Sequence, residues 1–490
     1  MLLGLLSLYC CRHDPTRQII QKLRTVEDVQ RVYRQLIWPP WQLLRTYVSA
    51  EDDVHLYYEY TRVILGEIPD SAYIASWQAT NDPRFISELH QALTRKQGLR
   101  LPYRDVPIIL PPVALAAMLV PRLVTDTLGG YRIGFAVLMA MLHLGSLACA
   151  YLLLRRLRPP AARAKNPDAP DDPDGPDRDE ASAARDPSGL RALLFRAALA
   201  TACLGPLLVG RYDPLPTFFV LLSLWLLVQG FALSAALLIL LGAGSKLFPM
   251  FLVPLWAATL LGQGAAQRRR LLWFLLPFAV LSGVAVAGLV VKGKSPDVLL
   301  GAIVLFGQRP IQIESLLGSI LRVAGSGLVF SYGSDNVRLT QHLWLPQLVD
   351  ASNLLGSLLL SLAAWLGSRR LPRGDDAALG RYLTHVSLAG LLLLLVSSKL
   401  LSPQYLVWVL PLAVLLPGCA PIDSRAAERA FALYCLALGL TQIYFPYLFS
   451  LVAQGVPPLL WLVLVRNLIL VAALAQLLRP AAWLRPVPRR

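Results

Sequence analysis

The stretch SSKLLSPQYLVWVLPL, residues 397–412, places polar residues between two apolar runs. Each run is long enough to enter a bilayer as a helix. Pro403 prevents one continuous helix through both runs, because proline lacks the backbone N–H and its ring clashes with the preceding turn. The pattern therefore predicts two membrane helices joined by a turn that contains Lys399, Gln404 and Tyr405.

The composition of the whole chain is that of an integral membrane protein. Of its 490 residues, 56% are hydrophobic and only 16% are charged. Few globular domains with this composition are soluble. The longer apolar runs lie at 132–154, 191–210, 271–291, 343–367, 382–398, 427–446 and 457–478, and the shorter ones at 217–230, 232–244, 248–261 and 405–418. We predict an all-α polytopic protein, a bundle of about nine to eleven transmembrane helices with non-cytoplasmic loops and juxtamembrane helices.

The positions of the basic residues predict the topology of this bundle. The formal net charge is +16, and arginines cluster after predicted spans at 155–158, 268–270 and 369–381 and in the C-terminal tail. Positively charged loops remain in the cytoplasm, so this pattern does not indicate a nucleic-acid partner. The loops expected on the opposite side are 211–216, 244–248, 292–342, 397–405 and 447–456.

The chain is expected to have two parts. Residues 1–131 are mostly extramembrane, with a first outer loop and juxtamembrane helices, because three prolines interrupt 108–124 and the apolar start has only eleven residues. A first span is therefore short, re-entrant or missing. Residues 132–490 form the transmembrane bundle. A Pro- and Asp-rich stretch, 159–190, is a predicted disordered cytoplasmic loop, and 292–342 is a long outer loop.

Four polar segments and Lys246 are expected on the non-cytoplasmic side. The segments are EDDVHLYYEY (51–60), RYDPLP (211–216), GQRPIQIES (307–315) and SSKLLSPQY (397–405). Ionisable groups at membrane depth are costly, which makes Asp213, Lys246 and Lys399 candidate functional residues, and Arg309 belongs with them. Alternatively, the lysines extend from span ends, Asp213 caps a helix, and Arg309 pairs with Glu314.

Asp52 and Asp53 stand at the predicted start of a helix. Residues 49–52, SAED, match a capping box, which explains one acid as a helix cap. Two acids followed by an exposed aromatic cluster suit a sugar site better, because one carboxylate takes a hydroxyl proton and aromatic rings lie on the sugar. Arg466 and Asn467 lie in the middle of the last span, where we expect a structural hydrogen-bonded pair with partners inside the bundle.

Six fragments in order resemble one enzyme family. They are DVHLYYEYTRVILGEIP, PYRDVPIILPPVALA, RYDPLP, SKLFPMFLVP, QRPIQIESLLGS and KLLSPQYLVWVLPL, from about residue 52 to 412. Together they are similar to the GT-C membrane glycosyltransferases, especially the polyprenol-phosphate-mannose-dependent mannosyltransferases of glycosyltransferase family 87. The resemblance implies a GT-C-like fold, an active site on the non-cytoplasmic face, and inversion at the anomeric carbon.

The resemblance also assigns roles to residues. Asp53 is the expected catalytic base, with Asp52 as the near alternative, and Lys399 is expected to meet the donor phosphate. The expected substrate-binding residues are Tyr57, Tyr58, Arg104, Asp105, Arg211, Asp213, Lys246, Arg309, Gln312, Glu314, Lys399, Gln404 and Tyr405.

The expected partners are a polyprenyl-phosphate sugar donor, a glycan or lipid acceptor and membrane lipids, with no nucleic acid and with a divalent metal left open. The expected location is the plasma membrane of a bacterium. One alternative is a transporter or lipid flippase, which predicts inverted repeats and ionisable groups near the midplane. Another is a catalytically degenerate GT-C protein, because Ile109 and Leu110 replace an acidic and aromatic pair.

Overall fold

The computed structural model describes residues 53–67, 110–157, 187–291, 307, 309–331, 334–339, 344–419, 424–445 and 448–479. The fold is about 81% helical and contains 15 α-helices within these residues. The helices are α1 (Asp53–Leu65), α2 (Pro112–Leu119), α3 (Leu128–Leu157), α4 (Pro187–Leu204), α5 (Pro214–Val228), α6 (Ala232–Ser245), α7 (Leu252–Gly262), α8 (Ala265–Val291), α9 (Leu316–Val323), α10 (Leu345–Ser368), α11 (Asp376–Ser397), α12 (Leu410–Cys419), α13 (Ser424–Tyr444), α14 (Phe449–Gln454) and α15 (Pro457–Leu477). The two strands are β1 (Leu328–Ser331) and β2 (Ser334–Val337), and they pair antiparallel.

The predicted membrane spans are confirmed as helices. Five helices, α3, α8, α10, α11 and α15, are long and apolar enough to cross a membrane. Five shorter apolar helices lie at Pro112–Leu123, Pro214–Val228, Ala232–Ser245, Phe248–Gly262 and Pro403–Cys419. The chain is a multi-pass membrane protein, as its composition predicts.

Two boundaries differ from the sequence expectation. Helix α3 begins at Leu128, inside the segment expected to be extramembrane, and α4 begins at Pro187, inside the predicted disordered loop. Proline is favoured at the first position of a helix because its fixed φ fits there and its missing N–H needs no partner. The remainder of the predicted disordered loop, 159–186, lies outside the described residues.

Proline also starts the helices that follow the polar loops. Pro214 begins α5, Pro249 lies in the first turn of a 3₁₀ segment (Phe248–Phe251), and Pro403 begins another (Pro403–Trp408). Each proline follows one of the loops that carry Asp213, Lys246 and Lys399. The local sequence thus places these ionisable residues between helices rather than inside them.

The apolar core lies around α11 and α12. Of the spanning segment in α11, 78% is buried, against 6% in α8 and 11% in α10. Helices α8 and α10 therefore lie at the periphery of the bundle, and most of their apolar side chains are not covered by other helices. Gly380 permits close packing near the start of α11, since a Cβ there would collide with the side chain of Leu157 on α3 and crowd that of Val228 on α5.

The helix ends form two groups, which we name the site end and the arginine end. The arginine end contains Arg196, Arg270 and Arg381: Arg270 pairs with Asp376, and Arg381 Nη1 donates to the carbonyl of Leu157 at 2.9 Å. The site end contains Asp213, Lys246 and Lys399. The 22 residues of α11 separate Asp376 from the site end, a length of about 33 Å for an α-helix.

The segment 309–339 packs over the site end. Val337 N donates to Ile311 O at 2.8 Å and Ile313 N to Asp335 O at 3.2 Å, so residues 311–313 extend the small sheet. Gln312 N donates to Lys399 O at 2.9 Å, which joins the segment to the loop before Pro403. Ser315 caps α9 by accepting a hydrogen bond from Gly318 N at 3.0 Å. The described part of the predicted outer loop is therefore structured.

Candidate active site

Asp213 and Lys246 form a buried ion pair at the site end. Lys246 Nζ lies 2.7 Å from Asp213 Oδ1, and the side chains are 17% and 1% exposed. The indole Nε1 of Trp408 donates to the same carboxylate oxygen at 2.6 Å. Asp213 occupies the N-cap position of α5 but makes no capping hydrogen bond with its side chain. Its carboxylate therefore links three segments of the bundle instead of capping one helix.

Aromatic rings surround the ammonium group of this pair. Lys246 Nζ lies 5.2 Å from the ring centroid of Tyr212, 4.5 Å from that of Tyr405 and 5.2 Å from that of Trp408. The Trp408 ring stacks on Phe248 at 4.0 Å and on Tyr405 at 4.2 Å. Ring faces attract cations, so the charge of Lys246 is compensated by one carboxylate and several rings.

The same surroundings keep Lys246 protonated. Burial lowers the pKa of Lys246, but the negative charge of Asp213 and its hydrogen bond outweigh this effect and raise the pKa above its ordinary value. The residue lies in the loop between α6 and the next 3₁₀ segment. Lys246 is therefore a fixed positive charge inside a wall of aromatic side chains.

Asp53 reaches the same loop from α1. Its carboxylate forms an ion pair with Nη1 of Arg211, and the two side chains are 35% and 26% exposed. Tyr57, one turn further along α1, packs edge-on against Tyr212 with ring centroids 5.7 Å apart. These two contacts place the first turn of α1 beside the Arg211–Tyr212–Asp213 turn.

The expectation of an exposed aromatic cluster on α1 is wrong. Tyr57, Tyr58 and Tyr60 are only 3%, 8% and 6% exposed, because α1 packs on α2 and α3 through a shared apolar cluster. Tyr58 has other partners: its hydroxyl donates to Asp126 O at 2.5 Å, and the guanidinium of Arg122 lies 5.2 Å from its ring. Tyr57 remains next to the site through Tyr212.

Lys399 forms a second lysine–carboxylate pair. Its Nζ donates to Asp350 Oδ2 at 2.7 Å and to Gly307 O at 2.8 Å. The Lys399 side chain is 3% exposed and that of Asp350 is 46% exposed. A lysine ammonium has three N–H donors, and two of them are used by these partners.

Glu314, in the segment that packs over the site end, is 1% exposed. Tyr444 OH donates to Glu314 Oε1 at 3.0 Å, Arg466 Nη2 donates to Tyr444 OH at 2.5 Å, and Asn467 Nδ2 donates to Glu314 O at 3.1 Å. The expectation that Arg466 and Asn467 have partners inside the bundle is confirmed. Burial raises the pKa of Glu314 to about 7, while the charges of Arg466 and, more weakly, Arg211 oppose the rise.

A comparison with protein families bears directly on this arrangement. The model of glycosyltransferase family 87 matches residues 109–398, more than half of the chain. The chain belongs to glycosyltransferase family 87. Comparisons with curated proteins and with solved structures gave no match. Membership makes the chain a glycosyltransferase, with donor and acceptor substrates, in a membrane.

The matched region of this family 87 glycosyltransferase covers most of the site end. It contains the Arg211–Tyr212–Asp213 turn, Lys246 and Glu314, and it ends one residue before Lys399. Helix α1 with Asp53 precedes it. Asp53 is therefore joined to the matched region by its contacts with Arg211 and Tyr212 rather than by the family match.

The remaining predicted residues of the family 87 enzyme vary in their surroundings. Gln312 Nε2 lies 3.5 Å from Glu314 Oε2, and Gln404 has a buried Oε1 without a hydrogen-bond partner among the described residues. Arg309 is half-buried. Asp52, Arg104 and Asp105 lie outside the described residues. Within the described residues, no group of three or more His, Cys, Asp and Glu side chains could hold a metal ion.

Sequence reasoning missed two residues of the site. Trp408 lies in an apolar run, where nothing in the sequence separates a hydrogen-bonding indole from a packing one. Asp350 is a lone acid within the predicted span 343–367, and such a residue indicates a functional or paired position. A lone acid in a span therefore indicates Asp350 as a candidate, but it does not indicate that Lys399 is its partner.

Proposed function

We propose that this family 87 glycosyltransferase transfers a hexose, mannose, with inversion from a polyprenyl-phosphate donor to a lipid, glycan or polymer acceptor. The observation that carries the proposal is the convergence of Asp53, Arg211, Asp213 and Lys246 at one end of an apolar helical bundle. A charged group inside such a bundle costs free energy, so its presence there indicates a function. Asp53 and Arg211 are the partly exposed members and therefore those within reach of substrates.

Asp53 is the proposed general base. An acceptor hydroxyl is a poor nucleophile near neutral pH, so a carboxylate takes its proton while its oxygen bonds to the anomeric carbon. At the same time the bond from the anomeric carbon to the phosphate oxygen breaks, and its electron pair remains on the lipid phosphate. A single displacement of this kind inverts the configuration at the anomeric carbon.

Arg211 and Lys399 are the proposed partners of the leaving phosphate. The phosphate gains negative charge as the glycosidic bond breaks, so cations held near it stabilise the transition state more than the ground state. Lys246 has a different proposed task, because Asp213 and the aromatic wall already compensate its charge. With Trp408 it fixes the turn that carries Arg211.

The site end is proposed to face away from the cytoplasm, in the plasma membrane of a bacterium. The support is the collection of arginines at the opposite end, since positively charged loops remain cytoplasmic. Single cysteines placed at 170–185 should be labelled by an impermeant maleimide only from the cytoplasmic side. Cysteines at 325–335 should be labelled only from the outside. The reverse pattern would contradict this orientation.

Transfer from a defined donor tests the function. Purified protein in liposomes receives radiolabelled polyprenyl-phosphate mannose and, as acceptors, the lipid and glycan fractions of bacterial membranes. We expect the label to move from the donor to an acceptor, faster than from polyprenyl-phosphate glucose. No transfer from any polyprenyl-phosphate hexose would contradict the proposal. Movement of intact donor between the leaflets without transfer would instead support a flippase.

A further inference from the structure

Three cations at the site end are already paired with carboxylates of the chain. Lys246 pairs with Asp213, Lys399 with Asp350, and Arg211 with Asp53. On the proposed function, which this inference presupposes, a phosphate must enter this region. At least one of the pairs then has to exchange its carboxylate for the phosphate, or the new charge remains uncompensated.

The two lysine pairs are poorly placed for such an exchange. Asp213 is 1% exposed and also holds the indole of Trp408, so its separation from Lys246 would leave a buried charge without a partner. Lys399 is 3% exposed and is held by Gly307 O as well as by Asp350, so it can offer a phosphate its third N–H but does not exchange its carboxylate. In each of these pairs one member is almost completely buried.

The Arg211–Asp53 pair differs from both. The two side chains are 26% and 35% exposed, so each member of the pair is in contact with the surroundings. A guanidinium binds carboxylates and phosphates through the same planar fork of N–H donors. Arg211 can therefore pass from one anion to the other by rotating its side chain, without movement of the backbone.

Asp53 would remain in place after such a rotation. Tyr57 packs on Tyr212 and Phe135, with ring centroids 5.7 and 5.5 Å apart, and these contacts hold the first turn of α1 independently of the ion pair. Asp53 is also in the first turn of its helix, where the helix dipole favours a negative charge. The carboxylate would then be available to accept a proton.

We propose that Arg211 is the positioning residue that masks Asp53 in the donor-free enzyme and turns to the donor phosphate when it binds, which exposes the base. No covalent bond changes in this step: N–H donors of Arg211 leave a carboxylate oxygen for a phosphate oxygen. The acceptor can then be deprotonated only when the donor is in place. Donor binding would thus precede productive acceptor binding.

The test measures the chemical accessibility of Asp53 without any sugar. The full-length protein in detergent is treated with a water-soluble carbodiimide and glycinamide, and modification of each carboxyl group is quantified by mass spectrometry. Polyprenyl phosphate is the probe, and its binding is measured separately with the radiolabelled lipid. Because a partly exposed ion pair contributes modestly, we expect saturating lipid to raise modification of Asp53 about two- to fivefold. Asp376, paired with Arg270 at the arginine end, should not change.

An Arg211 variant separates unmasking from other effects of the lipid. In Arg211→Gln, Asp53 should be modified at the high level without lipid, and lipid should add no increase. Arg211→Lys, which keeps the charge, should lie between Arg211→Gln and wild type. The inference is overturned if polyprenyl phosphate binds but leaves modification of Asp53 unchanged in wild type, or raises it equally in Arg211→Gln. Absence of any lipid binding would instead overturn the proposed function.

Discussion

The two ends of the bundle each carry an ion pair with the same shortest distance and a different environment. Lys246 Nζ lies 2.7 Å from Asp213 at the site end, and Arg270 Nη1 lies 2.7 Å from Asp376 at the arginine end. The Asp213 side chain is 1% exposed, whereas those of Arg270 and Asp376 are 24% and 31% exposed. Distance alone therefore does not distinguish the two pairs.

The difference is in what surrounds each pair. Arg270 binds both carboxylate oxygens of Asp376, at 2.7 and 2.8 Å, and Gln267 Nε2 adds a longer hydrogen bond of 3.4 Å to Oδ1. The Asp213–Lys246 pair is completed by Trp408, Tyr212 and Tyr405. An exposed pair contributes little to stability, while a buried pair is costly to break because one charge remains unpaired. The site end therefore depends on its ion pair and the arginine end does not.

Removal of one charge at the site end should give the largest effect. Asp213→Asn leaves Lys246 buried without its anion and should lower the free energy of unfolding by about 3 to 5 kcal/mol. Thermal unfolding in detergent measures this change. The double variant Asp213→Asn with Lys246→Met removes both charges and should recover part of the loss. If the single and double variants lost the same free energy of unfolding, the unpaired charge of Lys246 would not be the cause of the loss.

Loss of Lys399 should affect catalysis more than folding. Lys399→Ala should lower kcat/KM for the donor by about 10- to 1000-fold if the ammonium meets developing phosphate charge, and Lys399→Arg should keep part of the activity. Steady-state kinetics with varied donor concentration measure both parameters. Unchanged kinetics in Lys399→Ala would make the lysine a structural partner of Asp350 only.

Glu314 should make stability depend on pH at the site end. Its pKa in the folded protein is raised to about 7 from 4.5, so the folded state holds the proton more tightly than the unfolded state does. The stabilisation is fully present below pH 4.5 and is lost as the pH rises through 7. We expect the Tm of wild type to fall between pH 5 and 8 more than that of Glu314→Gln. Parallel curves for the two proteins would contradict the assignment.

The smallest effect is expected at the arginine end. Asp376→Asn should change the free energy of unfolding by about 1 kcal/mol or less, because both partners are partly exposed. Transfer activity should equal that of wild type. A large loss of activity in Asp376→Asn would remove the distinction between the two ends.

The helices were predictable from the sequence because apolar runs of sufficient length specify membrane helices almost by themselves. Pro403 was recognised as a helix boundary for the same kind of local reason. The ion pairs were not predictable: Asp213 and Lys246 were each identified, but which carboxylate meets which lysine depends on how helices pack. The position of Tyr57 and Tyr58 in an extramembrane segment predicts that they are exposed, whereas α2 and α3 cover them in the fold.

Asp53 is the proposed base at the site end, and its replacement by asparagine removes the proton acceptor. Asp53→Asn preserves the size of the side chain but cannot take a proton, so transfer of radiolabelled mannose should fall at least about 100-fold, with donor binding and Tm near wild type. Asp52→Ala, which removes a predicted helix cap, should cost only about 0.5 to 2 kcal/mol of stability and retain transfer. Asp376→Asn is the control for loss of an ion-paired aspartate. Full transfer by Asp53→Asn would show that Asp53 is not the base and would leave Asp213 and Asp105 as the candidates.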